Sequence, residues 1–404
     1  MTIGYSKPKL TAITFDNITW VTDVPSKGGT ATKDNCKFKV YAKYNNGISV
    51  DISSDATVEG ILAVEPSTAD QRREVGQLTL TALYRGFTAT GNVTAYQAAD
   101  FSTKPLTFNI LSAGTINWTV LGSSAKTIEY KLNDDNWASI TSNTEGAKIT
   151  VNSGGKVQFR GNNAQYCDGA SFNTFYGSTA RFEIEGNIMS LINSENFATL
   201  ITLESDYTFS YLFRGCTGLT SAENLVLPAT TLANYCYYYM FQGCRSLTTA
   251  PKLPAKTLGY LCYGGMFNGC ISLTTAPALP ATELKGSCYN GMFFDCASLT
   301  TAPKLPAKTL ESYCYMQMFY NCVLLTVAPE LPAAILEYGC YQSMFENCRS
   351  LNYIKCLATD ISARYCRERW VSGVASTGTF VKNPSVKWPT GGNGIPSKWN
   401  IQNA

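Results

Sequence analysis

The chain contains no histidine among its 404 residues. Histidine is the side chain that titrates near neutral pH, and it is also a common zinc and iron ligand. Its absence excludes Ser-His-Asp and Cys-His catalytic machinery. Chemistry that uses carboxylates alone, as in glycosidases, stays open. The scattered acidic residues that such a reaction could use are Glu129, Asp134, Asp135, Glu183 and Glu185.

Charge and long apolar runs are also scarce. Charged residues make up 15% of the chain and the formal net charge is +3, with no long run of lysine or arginine. This composition predicts no nucleic-acid partner. No stretch approaches the ~18–20 apolar residues of a membrane span, so none is expected. Residues 1–20 show no basic start followed by an apolar core and a cleavage site. If Met1 is the natural start, this predicts a protein that the Sec pathway does not export.

Residues 1–97 contain short runs in which apolar or aromatic residues occupy about every second position. The clearest runs are "KFKVYAKY", "QLTLTALY" and "FTATGNVTAY". This pattern predicts an antiparallel β-sandwich in which each sheet buries one face. The segments "YNNGISVDISSDATVEG" and "GQLTLTALYRGFTATGNVTAY" resemble bacterial immunoglobulin-like domains. The resemblance implies a spacer or an anchor, as in surface proteins and phage virion proteins.

Residues 98–186 begin with a short polar linker and continue as further strand patterns. The runs are "LTFNILS", "TINWTVLG", "KTIEYKLN", "AKITVNS", "KVQFRGN" and "ARFEIEG", separated by turn-forming residues. We therefore expect a second small β domain here.

The most specific feature is a repeat of 26 residues. Each unit carries a first cysteine, a Met-Phe pair, a second cysteine eight residues after the first, and two leucines. An array of this period predicts a solenoid in which each coil covers the next, with the constant positions facing inward. We expect the solenoid over 187–365 and an atypical C-terminal cap over 366–404. The cysteines of the expected structural ladder are Cys236, Cys244, Cys262, Cys270, Cys288, Cys296, Cys314, Cys322, Cys340 and Cys348.

The arrangement F-x-x-C-x-x-L-x-x-x-x-x-L-P resembles the BspA-like leucine-rich repeats of bacterial surface proteins. Similar combinations with immunoglobulin-like domains are known in gut Bacteroidetes and their phages. The fold class is thus predicted to be mainly β. In each repeat we expect a short strand at "SLTTA" and a helical or turn segment at positions such as "YCYYYMFQGC". Pro251, Pro277, Pro303 and Pro329 follow the strand and must keep it short.

The cysteines could bind metal, act as catalytic nucleophiles, form disulfides or remain free and buried. Catalysis is disfavoured because a reactive thiol needs a base or a lowered pKa, and five equivalent nucleophiles make little sense. Metal binding is disfavoured because the two cysteines are separated by seven residues and no histidine is present. Disulfides stay open because adjacent coils would lie ~4.8 Å apart, within bridging reach. The total of 15 is odd, however, and each cysteine would have equivalent neighbours above and below. Free, buried thiols are the favoured interpretation.

Positions that vary between otherwise similar coils are expected to be exposed, and tyrosine there offers contact area at low entropic cost. The candidate binding residues are Tyr238, Tyr239, Gln242, Asn268, Asn290, Phe294, Met316, Gln317, Tyr320 and Gln342.

These features together predict a non-enzymatic binding or structural protein that needs no cofactor. The favoured carrier is a phage virion, with the protein made in the host cytoplasm and displayed as a fibre, decoration or receptor-binding protein. The N-terminal domain would contact other virion proteins, and the solenoid would contact a host-surface protein or glycan. A secreted bacterial adhesin at the cell surface is the alternative, and a carbohydrate-active enzyme is a remote one. Whether the chain forms a homo-oligomer is left open.

Overall fold

The structure is a computed structural model of the chain. It describes residues 10–16, 21–24, 29–32, 39–45, 48–64, 73–97 and 100–404. The chain divides into two compact units, Met1–Asp100 and Phe101–Ala404. The described residues are mainly β, with several separate sheets and no α-helix, which confirms the predicted mainly-β class.

The first unit has nine strands among its described residues. They are β1 (Leu10–Asp16), β2 (Val21–Val24), β3 (Gly29–Thr32), β4 (Lys39–Tyr44), β5 (Ser49–Asp51), β6 (Thr57–Glu59), β7 (Ile61–Val64), β8 (Arg73–Tyr84) and β9 (Phe87–Gln97). They form sheets in the orders β1-β4-β5, β2-β9-β8-β6 and β3-β7. The predicted strand residues Lys37 and Phe38 lie outside the described residues.

Strands of two different sheets share one buried cluster in this unit. Along β8, Leu78, Leu80 and Ala82 are buried, whereas the residues between them are exposed. This alternation places one face of the strand in the core, as the sequence pattern indicates. The cluster consists of Ile13, Val40, Ala42, Ile52, Val58, Leu78, Leu80, Ala82 and Val93.

The second unit begins with eight strands. They are β10 (Leu106–Ser112), β11 (Gly114–Leu121), β12 (Thr127–Leu132), β13 (Ala138–Thr141), β14 (Ala147–Val151), β15 (Lys156–Arg160), β16 (Phe172–Thr174) and β17 (Arg181–Asn187). All six strands predicted here are present, whereas the short strands β13 and β16 were not predicted. The aromatic rings of Phe108, Phe159 and Phe182 pack together between these strands, with centroids 4.7–4.9 Å from that of Phe108.

These strands continue into the repeats without a break in the core. Strand β17 pairs in parallel with β19 (Leu219–Val226), which gives the sheet order β13-β12-β15-β10-β17-β19. A second sheet has the order β14-β11-β16. One cluster of buried residues extends from Leu106 to Trp399. The β region after the linker and the repeats therefore belong to the same compact unit.

The repeats form a stack of coils, which we call the coil stack. Each coil contains a turn segment of nine residues that runs from its first cysteine to its second. The turn segments occupy residues 236–244, 262–270, 288–296, 314–322 and 340–348. The backbone N–H of Phe241 donates to the carbonyl of Met266, at 2.9 Å, and Gly243 donates likewise to Asn268, at 2.7 Å. Bonds of this type between residues i and i+25 join each coil to the next.

The turn segments are successions of turns and contain no helix, which agrees with the second of the two alternatives expected there. The N–H groups alternate in their acceptors. Phe241 donates to the next coil, whereas Met240 donates to the carbonyl of Tyr237 three residues earlier in its own coil. Every fourth residue has a positive φ, as at Tyr235 (57°), Tyr239 (51°) and Gly243 (70°). The left-handed residue interrupts a backbone that would otherwise continue as a helix. Half of the N–H groups can therefore donate to carbonyls of the next coil.

The predicted strand at "SLTTA" is reduced to single bridges. The bridges are Ser221↔Thr249, Thr275↔Thr301 and Val327↔Tyr353. The following proline supplies no N–H donor, so the parallel ladder ends there. Threonine hydroxyls add to the ladder, since Thr248 Oγ1 donates to the Thr220 carbonyl of the previous coil, at 2.9 Å.

Short elements lie at both ends of the coil stack. Before it come two 3-10 turns, Ile188–Leu191 and Phe197–Thr199, and the paired strands β18 (Thr202–Leu203) and β20 (Thr231–Leu232). After it come three parallel strands, β21 (Tyr353–Cys356), β22 (Thr379–Lys382) and β23 (Asn400–Asn403).

Candidate binding face

Buried and partly exposed residues alternate in pairs in the first turn segment, and the later segments keep the same buried positions. In the first segment, positions 1, 2, 5, 6 and 9 are buried, and they hold Cys236, Tyr237, Met240, Phe241 and Cys244. Positions 3, 4, 7 and 8 are partly exposed in this segment and form one face, which we call the turn face. The left-handed residue at position 4 turns the chain so that two residues point inward again after two that point outward.

All ten candidate binding residues lie on the turn face. Each is partly exposed rather than fully exposed, because its neighbours in adjacent coils cover part of the side chain. They are Tyr238, Tyr239, Gln242, Asn268, Asn290, Phe294, Met316, Gln317, Tyr320 and Gln342.

The ten ladder cysteines are buried, and the 14 described cysteines are free of disulfides. Cys36 lies outside the described residues. The second cysteine of each coil donates its thiol to a phenylalanine carbonyl of the previous coil, as from Cys270 to Phe241, at 3.1 Å. The same carbonyl accepts the N–H of Cys244, at 3.1 Å. Burial raises the pKa of the Cys270 thiol well above its ordinary value, so these thiols are poor nucleophiles.

Two aromatic columns run beside the cysteines. Ring centroids in the phenylalanine column are 5.3–5.7 Å apart, and the planes are nearly parallel. The tyrosine column repeats at 5.7–6.2 Å. In the structure the hydroxyls of Tyr237 and Tyr289 are buried without a partner, and burial raises their pKa values well above 10.

At its N-terminal end, the turn face carries a group of aromatic rings, which we call the tyrosine patch. Tyr211 stacks on Phe172 at 4.4 Å between centroids, and Tyr238 meets Tyr239 edge to face at 4.4 Å. Arg214 lies over the Phe172 ring at 5.5 Å. Burial raises the pKa of Tyr211 to about 12, so its hydroxyl remains a hydrogen-bond donor at neutral pH.

Glycines of the next coil make room for two of these rings. A Cβ built on Gly265 would lie 2.2 Å from the Tyr239 ring, and one built on Gly264 would lie 3.0 Å from the Tyr238 ring. Each of the two rings therefore lies close to the backbone of the next coil, where a larger residue would collide with it. By contrast, a Cβ built on Gly291 of the following coil would have no neighbour closer than 3.9 Å.

Other turn-face residues contact each other along their columns. Phe294 stacks on Tyr320 at 4.5 Å, and Asn347 donates to the Tyr320 hydroxyl at 3.2 Å. Gln242 accepts from Arg214 Nε at 2.9 Å, and Gln342 donates to Glu368 at 2.7 Å. These contacts fix the orientation of side chains whose residue type differs from coil to coil.

Sequence reasoning missed Phe172, Tyr211 and Arg214 as members of this surface. Tyr211 lies in the earlier, imperfect coil, 28 residues before Tyr239 and in the same column. Aligning that coil on its own cysteine, Cys216, would have identified it. Phe172 belongs to β16 and reaches the patch only through tertiary folding.

The carboxylates considered for catalysis are in part engaged in ion pairs. Glu129 pairs with Arg160 at 2.8 Å, and the buried Glu185 pairs with Lys104 at 2.9 Å. Among the described residues, no group of three or more Cys, Asp or Glu is arranged to hold a metal ion. The same part of the chain has no helix of the length and apolarity that crossing a bilayer requires.

No known protein family, curated protein or solved structure gives a significant match to this chain.

Proposed function

We propose that the chain is a non-enzymatic binding protein displayed on a surface, and that it contacts a host-surface protein or glycan through the turn face. In this proposal the coil stack is a solenoid of BspA-like leucine-rich repeats. The first unit is an immunoglobulin-like sandwich that anchors the protein. The observation that carries the proposal is the contrast inside each turn segment: positions 1, 2, 5, 6 and 9 are buried and hold the same residues in all five coils, whereas the residues at positions 3, 4 and 7 differ.

The chemistry of the turn face suits recognition of a surface ligand. Tyrosine and phenylalanine rings supply flat contact area with few rotatable bonds, and the amides of Gln242, Asn268 and Asn290 supply donors and acceptors. Neighbouring coils restrict several of these side chains, through ring stacking at Phe294 and a hydrogen bond at Gln242. Restriction before binding lowers the entropy lost on contact.

A phage virion is the proposed carrier. The described cysteines are free, and thiols stay reduced when a protein folds in a cytoplasm, as virion proteins do before lysis. A secreted bacterial adhesin is the second candidate, supported by the resemblance of the repeats to bacterial surface proteins. Immunogold labelling of phage particles from lysates would favour the first. Labelling of intact bacterial cells without particles would favour the second.

The binding proposal is tested with purified, fluorescently labelled protein added to candidate host cells. We expect the double variant Tyr211→Ala, Tyr239→Ala to lose at least tenfold in cell binding. The control variant Thr274→Ala, Leu324→Ala changes exposed residues away from the turn face and should bind like the parent. An equal loss of cell binding in both variants, or no loss in either, would contradict the turn face as the binding surface.

A further inference from the structure

Solvent reaches two further rings that border the tyrosine patch. Tyr176 is 48% exposed and lies beside Gly215, since a Cβ built on this glycine would be 2.7 Å from the Tyr176 ring. Tyr260 is 44% exposed and meets Tyr235 edge to face, with 5.5 Å between centroids. Tyr235 in turn meets Tyr238 of the patch edge to face at 5.6 Å. The accessible aromatic surface is therefore larger than the patch itself.

Contacts between layers cover both faces of the Tyr211 ring. Tyr211 stacks on Phe172 at 4.4 Å and on Tyr239 at 5.7 Å, with interplanar angles of 28° and 18°. Tyr239 belongs to the next coil. Phe172 belongs to the segment before, because the N–H of Phe175 donates to the Leu212 carbonyl just as each coil donates to the next. The two stacking partners therefore lie on opposite sides of Tyr211.

Both faces of the Tyr239 ring are covered in the same way. One face stacks on Tyr211 of the coil before. A Cβ built on Gly265 of the coil after would lie 2.2, 2.4 and 2.8 Å from three adjacent carbons of the Tyr239 ring. No point in the plane of a six-membered ring has these three distances, so Gly265 lies against the other face. What Tyr211 and Tyr239 offer to solvent is the periphery of each ring, with its C–H edge and its hydroxyl.

The exposed periphery of this surface is electropositive. Aromatic C–H edges carry partial positive charge, and burial raises the pKa of Tyr211 to about 12, so its hydroxyl stays protonated. The partly exposed Arg214 adds a full charge, 5.5 Å from the Phe172 centroid and 5.8 Å from the Tyr211 centroid. Its Nε donates to Gln242 at 2.9 Å. Among the residues that the structure describes, no carboxylate forms an ion pair with Arg214.

In the imperfect coil and the two coils after it, Arg214 is the only charged residue at turn-face positions. Those positions hold Ser210, Tyr211, Arg214, Gly215, Tyr238, Tyr239, Gln242, Gly243, Gly264, Gly265, Asn268 and Gly269. Asp206 lies outside them, near Tyr235, and both its carboxylate oxygens accept hydrogen bonds from Asn234. A carboxylate from another molecule is the group that best complements a guanidinium set among uncharged rings.

We propose that the tyrosine patch binds an acidic segment of a host-surface protein, with a carboxylate opposite Arg214 and carbonyl oxygens against the ring edges. This inference rests on the proposed function and names its partner. The C–H groups of a sugar pack on the negative face of an aromatic ring, and the faces of Tyr211 and Tyr239 are already occupied. Tyrosine and arginine are also enriched among the residues that dominate binding energy at protein interfaces.

The first test removes either proteins or glycans from cells that bind the labelled full chain. Cells are treated with a protease, or with periodate, which cleaves the vicinal diols of sugars. We expect the protease to lower binding about tenfold or more and periodate to leave it unchanged. Loss of binding after periodate, or binding that survives the protease, overturns the acidic-protein partner. The turn-face proposal stands in both cases if the double variant Tyr211→Ala, Tyr239→Ala still loses binding, so the two failures are distinguishable.

The second test changes the charge at Arg214. Arg214→Gln should bind cells about tenfold more weakly, and its binding should no longer weaken as the salt concentration is raised. Arg214→Lys keeps the charge and should keep the salt dependence. The matched control is Arg245→Gln, which changes an exposed arginine off the turn face and should bind like the parent.

Thermal midpoints of these variants separate a lost contact from a lost fold. Equal binding by the parent and a folded Arg214→Gln protein contradicts the contact assigned to Arg214. Binding of the parent that does not change with salt concentration contradicts it as well, and this measurement needs no variant.

Discussion

The interior and the turn face of the coil stack are built from the same nine residues of each coil, yet they differ in how the sequence varies. At position 6 each of the five coils has phenylalanine, whereas at position 7 the coils have Gln242, Asn268, Phe294, Tyr320 and Glu346. An interior side chain must pack against the equivalent side chains of the coils before and after it, so one substitution disturbs the packing of two neighbouring coils. Gln242, Asn268, Phe294 and Tyr320 each have water on one side, which relaxes that requirement. Glu346 is buried and forms an ion pair with Arg369.

Alkaline pH should have the largest effect, and it acts on the interior. Burial raises the pKa of thiols such as Cys270 and Cys322 well above the value of about 9 expected in an unfolded chain. Above pH 9 the unfolded chain then releases protons that the folded chain retains. Stability is thus complete below about pH 9 and falls as the pH rises beyond it. Each thiol lowers the free energy of unfolding by about 1.4 kcal/mol per pH unit in that range, so ten thiols lower it by on the order of 10 kcal/mol per pH unit.

Thermal unfolding followed by circular dichroism between pH 7 and pH 11 measures this effect. A midpoint that is level to pH 8.5 and collapses above pH 9.5 is expected. A midpoint at pH 10.5 equal to that at pH 7 would mean that the thiols reach solvent in the folded chain.

Removing one ring from the phenylalanine column is the next largest change. Phe293 is fully buried and stacks on Phe267 and Phe319, each at 5.7 Å. Phe293→Ala should lower the free energy of unfolding by about 3–5 kcal/mol through lost burial and the cavity left behind. The matched control is Phe294→Ala, the next residue, which is on the turn face and should cost about 1 kcal/mol. Similar losses in urea denaturation would remove the distinction between interior and face.

The periodic sequence was enough to predict which residues fill the interior, because a repeated slot needs a repeated side chain. It did not reveal the turn geometry, although one signal was present. Position 8 holds only Gly243, Gly269, Asp295, Asn321 and Asn347 in the five coils, which are the residue types that tolerate a positive φ. Position 4, with residues as different as Tyr239 and Gln317, carries no such signal.

Contacts between distant segments were beyond the reach of the sequence pattern. The pairing of β17 with β19 joins the second β region to the coils, and no local pattern specifies it. A surface pocket near the C-terminus likewise brings together Asp360, Arg367 and Trp388, which lie in different parts of the sequence. The ten turn-face residues could be predicted because they lie within the repeat itself.

The cysteine bond between coils can be tested against a neighbouring face residue. In Cys270→Ser a more polar hydroxyl of smaller radius replaces a buried thiol that donates to the Phe241 carbonyl. We expect a loss of about 1–3 kcal/mol in the free energy of unfolding. Asn268→Ser, two residues away on the turn face, should stay within about 0.5 kcal/mol of the parent. If the two variants unfold at the same urea concentration, the buried Cys270 thiol contributes no more to stability than a turn-face side chain.

Two glycines on the turn face allow a smaller and more selective test. Gly265 and Gly291 both have positive φ, 57° and 58°, so alanine strains the backbone equally at both. Only at Gly265 would the new methyl group displace a ring, that of Tyr239. Gly265→Ala should therefore be less stable than Gly291→Ala by about 1 kcal/mol, the value of a lost aromatic contact. Equal thermal midpoints would show that the Tyr239 ring does not rest on the next coil.

The smallest expected effect comes from an interior change that removes a single atom. The Tyr289 hydroxyl is buried without a partner, so Tyr289→Phe deletes an unsatisfied polar group while the stacked ring remains. We expect a free energy of unfolding that is unchanged or raised by up to about 1 kcal/mol. In contrast, the buried Tyr166 hydroxyl donates to the Leu191 carbonyl at 2.6 Å, and Tyr166→Phe should cost about 1–2 kcal/mol. A destabilised Tyr289→Phe protein would mean that its hydroxyl has an acceptor, and that the tyrosine column is held by polar contacts as well as by packing.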